Sequence, residues 1–414
     1  MQEVSMKTFE RFLEYVKIDT KADPKSGNHP SSPGQKVLGK ILADEFKNMG
    51  IEAEMDEKGY VYARISANAE NIPSIAFIAH LDTSPDFSGE NVKPRIIENY
   101  DGGDVVLNRE LGIVMKTADF PFLETLKGQS LIVTDGTTLL GADDKAGIAE
   151  VMTLAETLVK NSGIKHGEVK FIFTPDEEIG EGPLFFDYGK GGADYAYTVD
   201  GGKEGMINYE NFNAASAEVT VKGINIHPGT AKNTMKNSLL IAMEFNALLP
   251  ATMIPAATSD YEGFYHLNNL RGDVEGTKMH YLVRNHDWEL FSKQKEFLIK
   301  ARDFLNHKYG EGTVEVKITD TYFNMKEKIK ERMEVVEVAI EATKMAGLEP
   351  LIIPIRGGTD GAQLTHNGLL CPNLGTGGWN AHGRYECISI EAMDKCTEVL
   401  LNIVQLIAKK ASAS

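Results

Sequence analysis

The residue pattern of this chain predicts an α/β fold, with a mixed, largely parallel sheet flanked by helices and an inserted, smaller α+β domain. Three observations carry that expectation. Short runs such as Ile75-Ala-Phe-Ile-Ala79 are apolar throughout, as strands buried on both faces are. Such runs alternate with amphipathic helical spacings, as in strand–helix–strand units. From about Asn213 the order becomes β-α-β-β-α-β, the split unit of a ferredoxin-like domain.

Taken in order, a first helix is expected over Met6–Val16, with Phe9, Phe12, Leu13 and Val16 on one face. A Gly/Pro/Ser loop, Asp23 to Gly34, leads to a second helix from Gln35 to Met49, stopped by Gly50. Strands follow at Glu52–Met55, Tyr60–Ile65 and the run that ends at His80. Asp86 to Gly128 is long and rich in turn signals, which suggests a functional loop or a small substructure. A strand at Ser130–Thr134, a helix opening near Asp143 and running to Val159, and strands Glu168–Thr174 and Tyr195–Val199 complete the first part.

The inserted domain reads as strand Ser216–Lys222, helix Asn233–Leu248, strands Tyr261–Leu270 and Lys278–Arg284, helix Asp287–Asn306 and strand Thr313–Thr319. Helix Lys326–Met345, strand Leu351–Ile355 and helix Ile390–Lys409 then return to the first pattern. The expected boundaries are therefore 1–212 and 322–414 for the larger domain and 213–321 for the insertion. A length of 414 residues suits two domains.

Composition narrows the partners. A net charge of -17 argues against nucleic acid and anionic membranes, and bound divalent cations would offset part of it. The three cysteines, Cys371, Cys387 and Cys396, form no zinc-type pair and suit a reducing compartment. The start, Met1-Gln-Glu-Val4, lacks the basic-then-apolar pattern of a secretory signal. No apolar run approaches the roughly 20 residues that span a bilayer. The expected location is the cytoplasm.

Five places put a metal-capable side chain just past a strand or at a helix start: His80 with Asp82, Asp143 with Asp144, Glu177 with Glu178, Asp200, and His382. Each has an ordinary explanation when taken alone. An aspartate at a helix start can simply cap it, paired glutamates can form a solvated loop, and aspartate before Gly-Gly can be a turn. Ligand crevices in open α/β sheets lie outside the carboxyl ends of strands, so these residues can converge. Two imidazoles and three carboxylates suit two zinc-class ions sharing a bridging carboxylate, and cobalt or manganese accept similar ligands. A remaining free carboxylate can act as general base.

The stretches His80-x-Asp82, Gly141-Ala-Asp143-Asp144-Lys145-Ala-Gly147, Asp176-Glu177-Glu178-Ile-Gly, Val199-Asp200-Gly-Gly and Asn380-Ala-His382-Gly resemble the zinc exopeptidase family of glutamate carboxypeptidases, desuccinylases and aminoacylases. The likeness runs from the first helix to the last. Asp86-Phe-Ser-Gly and Leu139-Leu-Gly-Ala-Asp resemble the branch that removes the N-terminal residue of tripeptides. The resemblance implies two zinc ions per subunit, with His80 and Asp200 on one, Glu178 and His382 on the other, and Asp143 bridging. The family pattern Asp-x-Lys-x-Gly selects Asp143 over Asp144. It further implies that Asp82 orients His80 and that Glu177 is the general base.

For the substrate, a small peptide, the resemblance points to His227 as an oxyanion donor. Arg356, in Arg356-Gly-Gly-Thr-Asp360-Gly, can clamp a carboxylate bidentately. Lys232, Asn233 and Asn237 are expected helpers. The inserted domain is expected to serve as a lid, and relatives that pair through it suggest a homodimer. The rival readings are another exopeptidase or deacylase on the same scaffold (a dipeptidase, carboxypeptidase or desuccinylase) and a non-catalytic peptide- or metal-binding protein.

Overall fold

The computed structural model describes residues 6–413, so the N-terminal stretch Met1–Val4 lies outside the described residues. The chain divides into two units. The larger holds residues 1–209, 327–352 and 359–414, and the smaller holds 210–326 and 353–358.

An eight-stranded sheet organises the larger unit. Its strand order is 52–55, 61–65, 169–174, 75–80, 195–199, 373–374, 206–208 and 351–352. The centre is parallel, because strand Ile75–His80 runs with both Val169–Thr174 and Tyr195–Val199. Strands 52–55 and 61–65 at one end are antiparallel. All six residues of the central strand are buried, which accounts for their unbroken apolar character. Helix Ala142–Lys160 packs against that strand and is buried along most of its length.

The strand expected at Ser130–Thr134 does not join this sheet. Leu131–Val133 belongs to a separate antiparallel sheet ordered 378–379, 387–389, 131–133 and 95–97. The apolar run predicted a buried strand correctly but carried no information about its partners. The long stretch after Asp86 forms a substructure with its own core, including Tyr100, Leu107, Met115, Leu123 and Leu126. Trp379 stacks on Phe122 there, with ring centroids 4.3 Å apart.

The smaller unit has a four-stranded antiparallel sheet, 264–272, 276–285, 213–222 and 314–322 in spatial order, with two helices packed on it. Its first strand pairs with its third and fourth, as in a ferredoxin-like sheet. The first helix starts at Ser238 rather than Asn233. Asn237 is its cap, with its side-chain oxygen accepting from the N–H groups of Leu239 and Leu240. Residues 353–358 also belong to this unit, where Ile355 bridges to Asn211.

Other expected elements changed at their ends. The helix expected over Lys326–Met345 is two helices, Lys326–Ile329 and Glu334–Met345, and the strand at Leu351 ends at Ile352. The three cysteines are free and buried. Among the described residues no helix is long and apolar enough to cross a membrane.

Candidate metal centre

The five sequence positions converge in the larger unit. His80 is the last residue of the central strand, and its imidazole is 2% exposed. Its Nε2 lies 2.9 Å from Oδ1 of Asp143 and 3.5 Å from Oδ1 of Asp200. Asp143 turns its other oxygen, Oδ2, to Nε2 of His382 at 3.4 Å, and Oε2 of Glu178 lies 3.1 Å from the same imidazole nitrogen. Two ligand groups result, His80–Asp143–Asp200 and Asp143–Glu178–His382, and Asp143 is common to both.

Local structure explains how each side chain arrives. The helix containing Asp143 and Asp144 has non-helical angles at both residues. Asp143 faces the imidazoles, whereas Asp144 is fully buried and accepts the backbone N–H of His80 at 3.1 Å. Gly147 permits this packing. A Cβ there would stand 2.0 Å from the carbonyl oxygen of Val199 and 2.5 Å from the Asp144 carboxylate. His382 sits in the left-handed region at φ 68°, as does Asn380 at φ 55°. A non-glycine residue holds such angles only where its surroundings impose them.

The carboxylate of Asp82 is fully buried and accepts the backbone N–H groups of Glu177 and Glu178 at 3.0 and 3.1 Å. The Nδ1 of His80 lies 3.1 Å from the Asp82 carbonyl oxygen and 3.3 Å from its carboxylate. Asp82 therefore holds the paired-glutamate turn as well as the imidazole. Behind His382, Asp86 places a carboxylate oxygen 3.6 Å from Nδ1.

Glu386 is part of the site and carries no sequence signal. Its buried carboxylate accepts the N–H groups of Leu140, Gly141 and Asp143, at 2.7, 2.7 and 3.0 Å, and so fixes the loop that presents Asp143. Burial nevertheless pushes its pKa up to about 7. Asp176 is the second such residue. It is fully buried, and only its place in the Asp-Glu-Glu string hinted at a role. Asp360, quoted in the Gly-Gly-Thr-Asp string, is also buried, and its Oδ2 accepts from the Thr174 hydroxyl at 2.8 Å.

The donor set fits divalent cations. Two imidazoles and several carboxylates crowd a region where burial pushes Glu178 up to about 7 and raises Asp200. Oε1 of Glu178 and Oδ1 of Asp144 are buried without a hydrogen-bond partner. Hydrogen bonds that His382 donates to Asp143 and then to Glu178 push it up to about 11. Such crowding of acceptors calls for positive charge, and imidazole with carboxylate is a zinc-class ligand set.

The residues expected to hold substrate lie in the smaller unit. His227, Lys232 and Asn233 are exposed, and Nδ1 of His227 accepts the N–H of Gly229 at 3.1 Å. Arg356 spends its guanidinium inside that unit. It donates to the carbonyls of Asp260 and Glu262 at 2.7 and 3.0 Å and to the Thr258 hydroxyl at 3.0 Å. It also lies over the rings of Phe212 and Phe264.

The fold and the paired ligand groups are those of a metallopeptidase. Residues 130–406 match the model of Peptidase family M20/M25/M40, and the chain belongs to that family. Its relatives include proteins named peptidase T. One from Caldanaerobacter subterraneus subsp. tengcongensis is 55% identical over 98% of this chain and 99% of its own. Another, from Clostridium perfringens, is 54% identical over 98% of this chain and 100% of its own. Among solved structures, aminopeptidase PepT from Bacillus cereus shares the fold at a TM-score of 0.78 and 24% identity, covering 97% of this chain and 98% of that one. A tripeptidase from Staphylococcus aureus does so at 0.77 and 22%, covering 98% and 99%.

Proposed function

We propose that the protein is a dizinc aminopeptidase that removes the N-terminal residue of tripeptides. The observation that carries the reading is Asp143, whose two carboxylate oxygens each face a different imidazole. His80 and Asp200 would hold one ion, Glu178 and His382 the other, and Asp143 both. When bound, a pair of zinc-class ions polarises the scissile carbonyl and lowers the pKa of water from 15.7 toward about 7. Cobalt or manganese suits the same donors.

In this reading Glu177 is the general base. Its neighbour Glu178 turns to His382, and its own backbone is pinned by Asp82. Burial, and next the charge of Asp200, raise the Glu177 carboxyl. Glu177 takes a proton from the attacking water and returns it to the amine that leaves as the peptide bond breaks. Asp82 keeps the His80 ring and the Glu177 turn in fixed relation, so base and ligand share one support.

Restriction to tripeptides and to a free amino terminus is supported by the peptidase T relatives and by the names aminopeptidase and tripeptidase among the structural neighbours. The role of His227 in holding the peptide and the homodimer rest on the sequence resemblance, the roles of Arg356, Lys232 and Asn233 on the chemistry of those residues, and the cytoplasmic location on composition. A panel of di-, tri- and tetrapeptides with free or acetylated N-termini, assayed with and without chelator, tests the reading. The expected result is cleavage of free-amine tripeptides that chelator abolishes. Equal cleavage of acetylated peptides would overturn the aminopeptidase assignment.

A further inference from the structure

The turn that carries Glu177 is gripped from a second side, by residues outside the metal centre. Asp176 precedes it with φ 59°, in the left-handed region. Its carboxylate is fully buried and accepts the Ser31 N–H at 2.7 Å on Oδ2. On Oδ1 it accepts the Ser31 hydroxyl and, at 2.7 Å, the Nε2 of Gln35. Gln35 also takes the backbone N–H of Asp176 on its Oε1 at 3.0 Å. The Asp176 carbonyl accepts the N–H of Glu181 at 2.9 Å, closing the turn.

A carboxylate offers about four lone-pair sites. Three have donors here, and Nδ1 of His29 lies 3.3 Å from Oδ2 without a hydrogen bond to it. His29, Asp176 and Glu181 are grouped closely enough to suggest a cation. The three donors already on the Asp176 carboxylate argue instead for a structural clamp. Gln35 is fully buried and grips both the main chain and the side chain of Asp176. Ser31 just precedes, and Gln35 lies in, the first turns of helix Pro33–Asn48. The strained residue is thereby anchored to a rigid element on one side, while Asp82 anchors the next two residues on the other.

We propose that Gln35 and Ser31, acting through Asp176, are positioning residues that set the orientation of Glu177. This rests on Glu177 being the general base. Neither residue is among those that would hold an ion. Misplacing a reacting group by about 1 Å can cost on the order of 100-fold in rate, so the clamp should act on turnover more than on binding.

The test is a double-mutant cycle on the zinc-loaded enzyme with a tripeptide substrate. Gln35→Met keeps the volume and removes both hydrogen bonds to Asp176, together with those to the Ser31 and Ser32 hydroxyls. Ser31→Ala is the milder companion should Gln35→Met fail to fold. In the otherwise wild-type protein, either should lower kcat about 10- to 100-fold, leave KM within about twofold, and keep two ions by elemental analysis. In a Glu177→Ala background, the same substitution should change the residual turnover by less than about twofold. Full turnover in both single variants would overturn the proposal. So would an equal loss in both backgrounds, or loss of an ion, which would move the effect to Glu178. Near-normal turnover of Glu177→Ala alone would refute the base assignment instead, so the two failures are separable.

Discussion

Nε2 of His80 lies 2.9 Å from Oδ1 of Asp143, joining the end of the central strand to a break at the start of a buried helix. Neither residue has freedom to withdraw. The backbone N–H of His80 is held by Asp144, and that of Asp143 by Glu386. The contact is therefore a property of the scaffold, and its consequences can be measured.

Asp143→Ala should remove the shared acceptor of both ligand groups. Elemental analysis of the purified variant should find both ions depleted, and turnover should fall by at least about 1000-fold. Full occupancy by two ions would contradict the bridging role.

Glu177→Ala should separate metal binding from chemistry. Two ions should remain, while kcat falls by about 100- to 10,000-fold, the range for losing a general base. Turnover near that of the wild type would show that another group takes the proton.

Chelation should abolish turnover and also lower the thermal midpoint, because ions that bind only the folded state stabilise it by mass action. Without them the crowded carboxylates at Asp143, Glu178 and Asp200 repel one another. Zinc, cobalt or manganese should restore both properties. An unchanged midpoint on metal removal would argue against ions held at this buried cluster.

Glu150 predicts a pH effect away from the metal centre. It lies fully buried in helix Ala142–Lys160, and neither carboxylate oxygen has a hydrogen-bond partner. Burial first, and then the charge of Asp394, raise its pKa well above the usual carboxylate range. The thiol of Cys396, itself raised by burial, also faces it. A raised carboxyl pKa means that the folded state keeps a proton the unfolded chain releases. Its stabilising contribution is complete below the unfolded value of about 4.3 and is lost as pH rises toward the folded value. Glu150→Gln should thus gain stability relative to wild type progressively as pH rises above about 4.3. Urea unfolding at several pH values would measure it, and a difference that does not grow with pH would refute the assignment.

How much of this was legible beforehand differs from residue to residue. The strand Ile75–His80 is apolar at every position because both its faces are buried, so its class could be read directly. The strand Leu131–Val133 looked the same and went to another sheet, because an apolar run records burial and not pairing. Sequence spacing extends the helix back to Asn233, whereas it begins only after Asn237, its cap. Asp82 showed itself as a neighbour of His80, but its bonds to the Glu177 and Glu178 amides did not.

The sequence by itself determined the α/β class, the main buried strands and amphipathic helices, and the short strings that hold His80, Asp143, Glu178, Asp200 and His382, but not the short strands such as 206–208, 373–374 and 387–389. The elements and strings it determined are local matters, since residues two, three or four apart define a face or a turn. Only the tertiary structure decided which carboxylates support them. Glu386 meets Leu140 across 246 positions, and Gln35 meets Asp176 across 141. No periodic pattern spans such distances. Those bonds exist because burying a carboxylate requires donors, and the fold supplies them from wherever the chain returns.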